Sequence, residues 1–225
     1  MIKLYIVATP LGNLSDITLR AVEILKQVDL ILCEDTRVSK NLLGHYNIDT
    51  KMISYHQHSG SNKVNLLLEK IKSGLDLALI TDAGTPGISD PGNKFIADVS
   101  KNIGSDCQII PIPGPSAVIC ALSISGLPTD KFLFLGFIPH KKGRETLFKR
   151  IENNSETVVF YESTHRIIKT LESLSKLLSK DREVVVCREL TKKFETIYRG
   201  SIIEVLNQLK KDTTKGEFVV VIGGK

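Results

Sequence analysis

The sequence predicts an α/β protein built of two domains. Its 225 residues are enough for two domains of ordinary size. Short apolar, β-branched segments alternate with segments of helical periodicity, which is typical of sheets covered by helices. A Pro-Gly-Pro sequence at 113–115 interrupts this alternation near the middle of the chain. We therefore expect an N-terminal α/β domain over residues 1–114 and a C-terminal α/β domain over residues 115–225.

The first half of the chain has the strand and helix order expected of a largely parallel sheet. Asp16 is a candidate N-cap for a first helix that carries Leu19, Val22 and Leu25 on one face. A later helix is predicted around residues 66–71. The predicted strands are 3–7, 30–33, 52–55, 77–80 and 107–112.

The second half again mixes strands and helices. Ile167, Leu171 and Leu174 mark one helix by their spacing. The predicted strands are 132–137, 157–161, 183–187 and 218–222. No internal repeat of fixed period is visible, so a solenoid or propeller is not expected.

The net positive charge of the chain lies entirely in the second half. Residues 1–115 contain 11 Lys and Arg against 12 Asp and Glu, whereas residues 116–225 contain 19 against 13. The net charge is thus −1 in the first half and +6 in the second. This asymmetry permits a polyanionic partner on one side, and the alternative is an ordinary solvated surface.

The cysteines and the N-terminus indicate neither a metal centre nor a membrane protein. Four separated cysteines, with no CxxC pair, are typical of buried free thiols, so no metal site is expected. No apolar run approaches the roughly 20 residues that span a bilayer. The first residues form a strand pattern rather than a signal peptide, which predicts a cytoplasmic protein without a membrane partner.

Three loops that follow predicted strands are unusual, and ligands of open α/β sheets bind beyond the carboxyl ends of strands. The loop at 8–14 contains Pro and Gly but has neither Rossmann nor P-loop spacing, so alone it could be a simple turn. The loop at 81–92 contains three glycines and two prolines, a stiff yet open composition that favours a small-molecule cradle over a plain connection. The loop at 113–117 leads into an apolar helix that Ser116 could cap, and it could equally be a domain linker.

Together these loops and several later segments carry a specific resemblance. The ordered signature consists of ATPLGNL at 8–14 with DIT at 16–18, EDTR at 34–37, SYH at 54–56, the loop at 82–92, GFIP at 136–139, FYES at 160–163 with HR at 165–166, and RELTK at 188–192. In this signature the chain resembles the tetrapyrrole-methylase superfamily and, within it, the group that methylates a cytidine 2′-hydroxyl of small-subunit ribosomal RNA. Thr164 departs from the pattern, because the family usually has Pro there.

The resemblance implies S-adenosylmethionine as the cofactor, two α/β domains of the tetrapyrrole-methylase type with the cofactor cleft between them, and a homodimer. It also implies which residues hold the cofactor, some through their backbone and some through apolar side chains. These residues are Pro10, Asp82, Ala83, Gly84, Thr85, Ile88, Ser116, Ala117, Glu162 and Leu190. For Ile88 and Leu190, packing in a hydrophobic core is the alternative.

A ribose hydroxyl becomes a good nucleophile only when its proton leaves, so a carboxylate or an imidazole should lie within hydrogen-bond reach. Asp35, His56 and Glu189 are the catalytic candidates, because each follows a strand in a family segment. The alternatives are that Asp35 only pairs with Arg37, that His56 only binds phosphate, and that Glu189 is structural.

The substrate-binding candidates are cationic side chains suited to RNA phosphates. They are Arg37, Lys141, Lys142, Arg144, His165, Arg166 and Lys192. Two other functions remain open. The first is a methylase of the same fold that acts on a tetrapyrrole or on a protein side chain, and the second is a non-catalytic RNA-binding assembly protein.

Overall fold

A computed structural model describes residues 1–56 and 59–225. The chain divides into two compact units, Met1–Ser116 and Ala117–Lys225. The boundary expected after residue 114 lies two residues before this division.

The first unit contains a five-stranded parallel sheet. Its strand order is β3-β2-β4-β1-β5, and every neighbouring pair is parallel. Leu4 on the central strand β1 lies opposite Leu77 on one side and Ile109 on the other, which fixes the register. The strands are β1 (Ile2–Val7), β2 (Leu30–Cys33), β3 (Met52–Ser54), β4 (Leu77–Leu79) and β5 (Cys107–Ile112).

Helices cover both faces of this sheet. Alternate residues of each strand point to opposite faces, so Tyr5 and Val7 pack in one cluster and Leu4 in another. The helices α1 (Leu19–Gln27) and α2 (Thr36–His45) belong to the first cluster, and α3 (Ser61–Lys72) and α4 (Asn93–Asn102) belong to the second. The inner strands β2 and β4 are therefore buried along their whole length, which explains their uninterrupted apolar sequence.

The start of α1 differs from the prediction. Thr18 is the N-cap, and its hydroxyl accepts a hydrogen bond of 3.1 Å from the backbone N–H of Ala21. Asp16, the predicted cap, instead ends a short 3-10 turn, Leu14–Asp16. That prediction is wrong because Asp and Thr are both good caps, and only Thr18 directly precedes the first helical residue.

The second unit contains a five-stranded mixed sheet with the order β6-β7-β10-β8-β9. Only the pair β6 and β7 is parallel, and the other neighbours are antiparallel. The strands are β6 (Phe132–Phe137), β7 (Thr157–Ser163), β8 (Glu183–Arg188), β9 (Thr196–Ser201) and β10 (Glu217–Ile222). The sequence pattern does not predict β9, the edge strand.

Four helices flank the mixed sheet. Helix α5 (Ala117–Ser125) packs on one face, whereas α6 (Arg144–Asn153), α7 (Ile167–Leu174) and α8 (Ile202–Lys211) share the cluster on the other face. Each of these helices is short, so burial of its apolar side rather than propensity stabilises it. None of the helices formed by the described ranges combines 18 residues with enough apolar character to span a bilayer.

Candidate functional site

The carboxyl edge of the parallel sheet has the topology of a ligand site. Neighbouring strands β1 and β4 continue into helices that cover opposite faces of the sheet, α1 and α4. Chain segments that leave adjacent strands for opposite faces open a crevice at the carboxyl edge, where α/β proteins bind their ligands. The loops after β1 and β4 border this point.

These two loops are joined by backbone hydrogen bonds. The N–H of Thr9 donates to the carbonyl of Gly84 at 2.9 Å, and the N–H of Gly84 donates to the carbonyl of Thr9 at 3.0 Å. The buried hydroxyl of Thr9 also donates to the carbonyl of Thr81 at 3.0 Å. These hydrogen bonds therefore hold the two loops in a fixed arrangement.

The loop after β5 joins the same assembly. The hydroxyl of Thr85 donates to the carbonyl of Pro115 at 3.0 Å. A Cβ added to Gly114 would lie 2.9 Å from the Cβ of Ala8, so glycine is needed for this close approach. The structure thus brings together the three loops that the sequence singled out.

Gly84 lies at the centre of this assembly. Its φ is +81°, a conformation that favours glycine, and an added Cβ would lie 3.4 Å from Leu11 Cδ2 and 3.9 Å from the carbonyl oxygen of Pro115. A side chain here would occupy the space between the three loops. The bare peptide therefore leaves room for a ligand to approach the backbone.

The other predicted cofactor residues at this edge come from the same three loops as Gly84. Pro10 is buried and Ala83 is half-buried. Ile88 is 45% exposed, so the alternative that it packs in a core is wrong. Ser116 ends the first unit, and Ala117 begins α5.

Three carboxylates lie close to the same edge. The backbone N–H of Asp35 donates to Asp82 Oδ1 at 3.1 Å, which ties the end of β2 to the loop after β4. Glu34 directly follows β2 and is half-buried. Burial raises the pKa of Glu34, the charges of Asp82 and Asp35 raise it further, and that of His56 lowers it.

Sequence reasoning did not single out Glu34 as a site residue. The available signal was its position, because it is the first residue after a strand that ends at the ligand edge. A half-buried carboxylate with a raised pKa at such an edge has the properties of a general base.

Asp35 is engaged in a local ion pair. Its carboxylate caps α2 by accepting the N–H of Arg37 at 2.8 Å, and the Arg37 guanidinium contacts both carboxylate oxygens, with Nη2 2.6 Å from Oδ2. The hydrogen bonds from the side chain and then the backbone of Arg37 lower the pKa of Asp35 to about 2. The pairing that the sequence left open as an alternative is therefore present.

His56 is exposed at the end of β3. Its backbone N–H donates to the hydroxyl of Ser59 at 2.9 Å. Because the charge of His56 acts on Glu34, the imidazole belongs to the same electrostatic neighbourhood as the carboxylates.

In the second unit, Glu189 is held by its neighbours. Its Oε1 accepts the N–H of Glu217 at 2.9 Å and the ammonium of Lys192 at 3.1 Å, and Lys192 also contacts Glu217 at 2.7 Å. Burial raises the pKa of Glu189, but the hydrogen bond from Glu217 and the contacts with Lys192 outweigh it, so the pKa is lowered overall. These contacts support the structural alternative for Glu189 and give Lys192 a role within the protein.

The turn after β8 has unusual backbone geometry. Glu189 and Thr191 have φ values of 52° and 66°, which are uncommon for residues with side chains. The side chain of Leu190 between them is buried in the cluster around α5. Core packing therefore explains the Leu190 side chain, and only its backbone is left for a cofactor contact.

Glu162 belongs to a buried polar network. Its carboxylate accepts the N–H of Ser163 at 2.8 Å and the hydroxyl of Thr170 at 2.7 Å, and it pairs with Arg166 Nε at 3.2 Å. Its side chain has no exposed surface. No carboxylate atom of Glu162 is therefore exposed for the contact with adenosine that the resemblance implies.

The predicted RNA-binding residues divide into two groups. Arg144 and Arg166 are half-buried and donate to backbone carbonyls of the β6–α6 loop, namely those of Pro139 and Ile138. The exposed group consists of Arg37, Lys141, Lys142 and His165. Arg37 is paired with Asp35, and half-buried Lys192 pairs with Glu189 and Glu217. The structure therefore exposes Lys141, Lys142 and His165 for phosphate and gives Arg144 and Arg166 an anchoring role.

Comparison with known proteins identifies the class. The family model of tetrapyrrole (corrin/porphyrin) methylases matches residues 3–206. The chain belongs to this family, as the signature predicted.

Similar proteins are found among curated relatives. A protein of Vibrio cholerae is 46% identical over 98% of this chain and 77% of its own length, and one of Bacillus subtilis is 42% identical over 98% and 75%. Both are named ribosomal RNA small subunit methyltransferase I.

Solved structures share the fold. A cobalt precorrin-4 methyltransferase has a TM-score of 0.72 at 20% identity, covering 98% of this chain and 94% of its own. A uroporphyrin-III C-methyltransferase from Thermus thermophilus, solved with S-adenosylhomocysteine, has a TM-score of 0.67 at 17% identity, covering 98% and 97%. At these identities the likeness shows the fold alone, and it confirms two α/β domains of the tetrapyrrole-methylase type.

Proposed function

We propose that this protein transfers a methyl group from S-adenosylmethionine to the 2′-hydroxyl of a cytidine in small-subunit ribosomal RNA. One observation carries the substrate assignment. Relatives that are 42–46% identical over nearly the whole chain are named for methylation of small-subunit ribosomal RNA. The choice of cytidine and of the 2′-oxygen rests on the sequence signature and on the chemistry of the site.

The cofactor is S-adenosylmethionine, in keeping with the family. The site fits such a ligand, because the missing side chain at Gly84 leaves space beside the backbone and Ile88 offers an exposed apolar side chain. Pro10, Ala83 and Thr85 would complete the holding set. When bound, the cofactor supplies a methyl group on a reactive sulfonium centre, so alignment of the acceptor is the main task of the protein.

The remaining task is removal of the hydroxyl proton. Glu34 has the raised pKa that suits a base, whereas the pKa of Asp35 at about 2 makes its carboxylate a weak one. We infer that Glu34 accepts the proton of the ribose hydroxyl, with His56 beside it. Asp35 and Glu189 remain candidates whose observed contacts favour structural roles.

Three of the four thiols favour an oxygen acceptor over a carbon acceptor. Methylation of a base carbon through a covalent adduct needs a thiolate. Burial raises the pKa of Cys33 and Cys107, and it raises the pKa of Cys187 to about 12. These three thiols are therefore poor nucleophiles.

The decisive experiment uses labelled S-adenosylmethionine and small ribosomal subunits from cells that lack the gene. We expect label in the ribosomal RNA and resistance to alkaline cleavage at the phosphate that follows the labelled nucleotide, because the methylated oxygen no longer attacks it. Normal cleavage, with the label recovered on a free base, would overturn the 2′-oxygen assignment.

Two parallel experiments test the alternatives. Uroporphyrinogen offered under the same conditions should remain unlabelled, since a tetrapyrrole methylase would label it. Calorimetric titration with S-adenosylmethionine should show binding, and its absence together with intact RNA binding would indicate a non-catalytic assembly protein.

A further inference from the structure

The helical layer of the second unit contains an open groove that no step of the proposed reaction uses. The groove has a volume of about 340 Å³ and lies between α6 and the end of α7. Phe148 and Leu177 contribute its apolar lining. Its charged lining consists of Arg144, Lys149 and Lys176 as cations and Glu145 as the single anion.

Arg144 is fixed in the wall of the groove. Its Nη1 donates to the carbonyl of Pro139 at 3.2 Å, its Nη2 donates to the hydroxyl of Thr170 at 2.7 Å, and its guanidinium carbon lies 4.7 Å from the ring centre of Phe148. These two hydrogen bonds, both to groups within the described ranges, use two of the five N–H groups of an arginine. A planar fork held in one orientation loses little entropy when it binds an oxyanion.

The charge around Arg144 is not balanced. Arg144 and Arg166 both interact with the single carboxylate of Glu162, and Arg166 forms the ion pair, with its Nε 3.2 Å from Glu162 Oε1. Burial and the charge of Arg166 lower the pKa of Arg144, which is the sign of a cation that lacks a full counter-charge. An anion in the groove would supply that counter-charge.

The chain segment around the groove is also positively charged. Residues 140–180 contain nine Lys and Arg against five Asp and Glu, a net charge of +4 out of the +6 carried by the second half. Lys149 lies on α6 and Lys176 in the turn after α7, and both are exposed, so the groove presents cations from two separate segments of the chain.

We propose that this groove binds the phosphodiester backbone of the substrate RNA. The inference rests on the proposed function for the identity of the polyanion. An extended RNA strand suits an open groove with spaced cations better than a small phosphate does, because each cation then meets its own phosphate.

The test compares two double variants of equal charge. Lys149→Gln with Lys176→Gln removes the exposed cations of the groove. Lys131→Gln with Lys211→Gln removes two exposed lysines that do not line it. Fluorescence anisotropy with single-stranded fragments of small-subunit ribosomal RNA, from 50 to 300 mM salt, reports affinity and its salt slope.

We expect the groove variant to bind about tenfold more weakly at low salt and to lose about 0.7 of the salt slope for each lost contact. Its KM for ribosomal subunits should rise while kcat and the affinity for S-adenosylmethionine stay unchanged. The control variant should match the wild type. Equal behaviour of the two variants, with unchanged thermal midpoints, would overturn the inference.

Two further outcomes distinguish failure of the proposed function from failure of the groove inference. If subunits are not methylated but the groove variant still loses RNA affinity, the proposed function fails and the groove stands. If the groove variant binds RNA like the wild type but loses the binding of inorganic phosphate, the groove is a discrete anion site and the inference of an RNA track is wrong.

Discussion

At the scale of single residues, Asp35 performs a task that its position in a family segment does not reveal. It caps α2 and pairs with Arg37, and these hydrogen bonds keep its pKa near 2. Because the folded pKa lies below the ordinary value of 3.8, the stabilisation is present above about pH 4 and is lost as the pH falls towards 2. The Asp35 carboxylate therefore fixes the chain between the end of β2 and the start of α2.

Substitutions at Asp35 separate the capping role from catalysis. Asn caps helices as well as Asp does, whereas Ala does not. We expect Asp35→Asn to keep most of the turnover and Asp35→Ala to lower the thermal midpoint. Scanning calorimetry and methyl-transfer rates measure the two effects. Turnover that collapses in Asp35→Asn with unchanged stability would restore Asp35 as the base.

Glu34 should show the opposite behaviour. A carboxyl group whose folded pKa is raised is destabilised in its charged form, so Glu34→Gln should leave stability at neutral pH unchanged or higher. Turnover should nevertheless fall by roughly 10²–10⁴-fold, because the base is lost. In the wild type, kcat/KM should decline as the pH falls through the raised pKa. A flat acid limb or an active Gln variant would remove Glu34 from the mechanism.

The contrast between these neighbours shows what a sequence can reveal of a site. The pairing of Asp35 with Arg37 involves residues two apart, so it was visible as an alternative. The environment of Glu34 depends on Asp82, which only the order of the strands brings near. Thr164, the departure from the family pattern, likewise acts at long range, since its hydroxyl bonds both the N–H and the carbonyl of Gly216.

At the scale of elements, the loops after β1, β4 and β5 act as one rigid body. The β-bridge between Thr9 and Gly84 and the bond from Thr85 to Pro115 leave the Gly84 peptide in a fixed position. A preformed cradle of this kind binds a ligand without the cost of ordering a mobile loop.

Gly84→Val should therefore weaken the binding of S-adenosylmethionine at least tenfold, which corresponds to about 1.4 kcal/mol. Gly74→Val is the matched control, because Gly74 also has a positive φ of +97° but an added Cβ meets nothing within 4 Å. Both variants carry the backbone strain, and only the first fills the space between the loops. Calorimetry that finds equal affinities for the two folded variants would contradict the cradle.

The elements that the sequence predicted are those with a strong local pattern. The buried strands of the first unit are apolar on both faces, so their segments stand out from the loops. Strand β9 was missed because its sequence, TIYRGS, contains an exposed Arg and a Gly and is stabilised by pairing with β8 along its whole length. An edge strand of this kind owes its structure to a partner rather than to its own hydrophobicity.

At the scale of the whole molecule, the two units have different chemical characters. The first unit offers glycine-rich loops and carboxylates at a parallel sheet edge, which suit a small cofactor and a proton acceptor. The second unit carries the net positive charge of the chain, and nine of its Lys and Arg residues lie between residues 140 and 180. We therefore expect cofactor chemistry mainly at the first sheet and attraction of a polyanion mainly at the second.

The family resemblance implies a homodimer, and α5 offers a physical reason for one. Its sequence, AVICALSIS, is apolar apart from two serines, and a helix of that kind is usually buried. One side packs on the mixed sheet, yet Ile119 is 55% exposed and Ile124 is 40% exposed. Sedimentation equilibrium at micromolar concentration should therefore give twice the chain mass of 24.9 kDa.

A charge on the outer side of α5 tests whether that helix takes part. Ile119→Lys should weaken the dimer at least tenfold, because a lysine would be buried without a partner. Ile203→Lys, at a 46% exposed position on α8, should not. A monomer mass for the wild type would contradict the dimer itself. A dimer that survives Ile119→Lys would place the interface elsewhere, since a contact centred on α5 does not tolerate an unpaired charge.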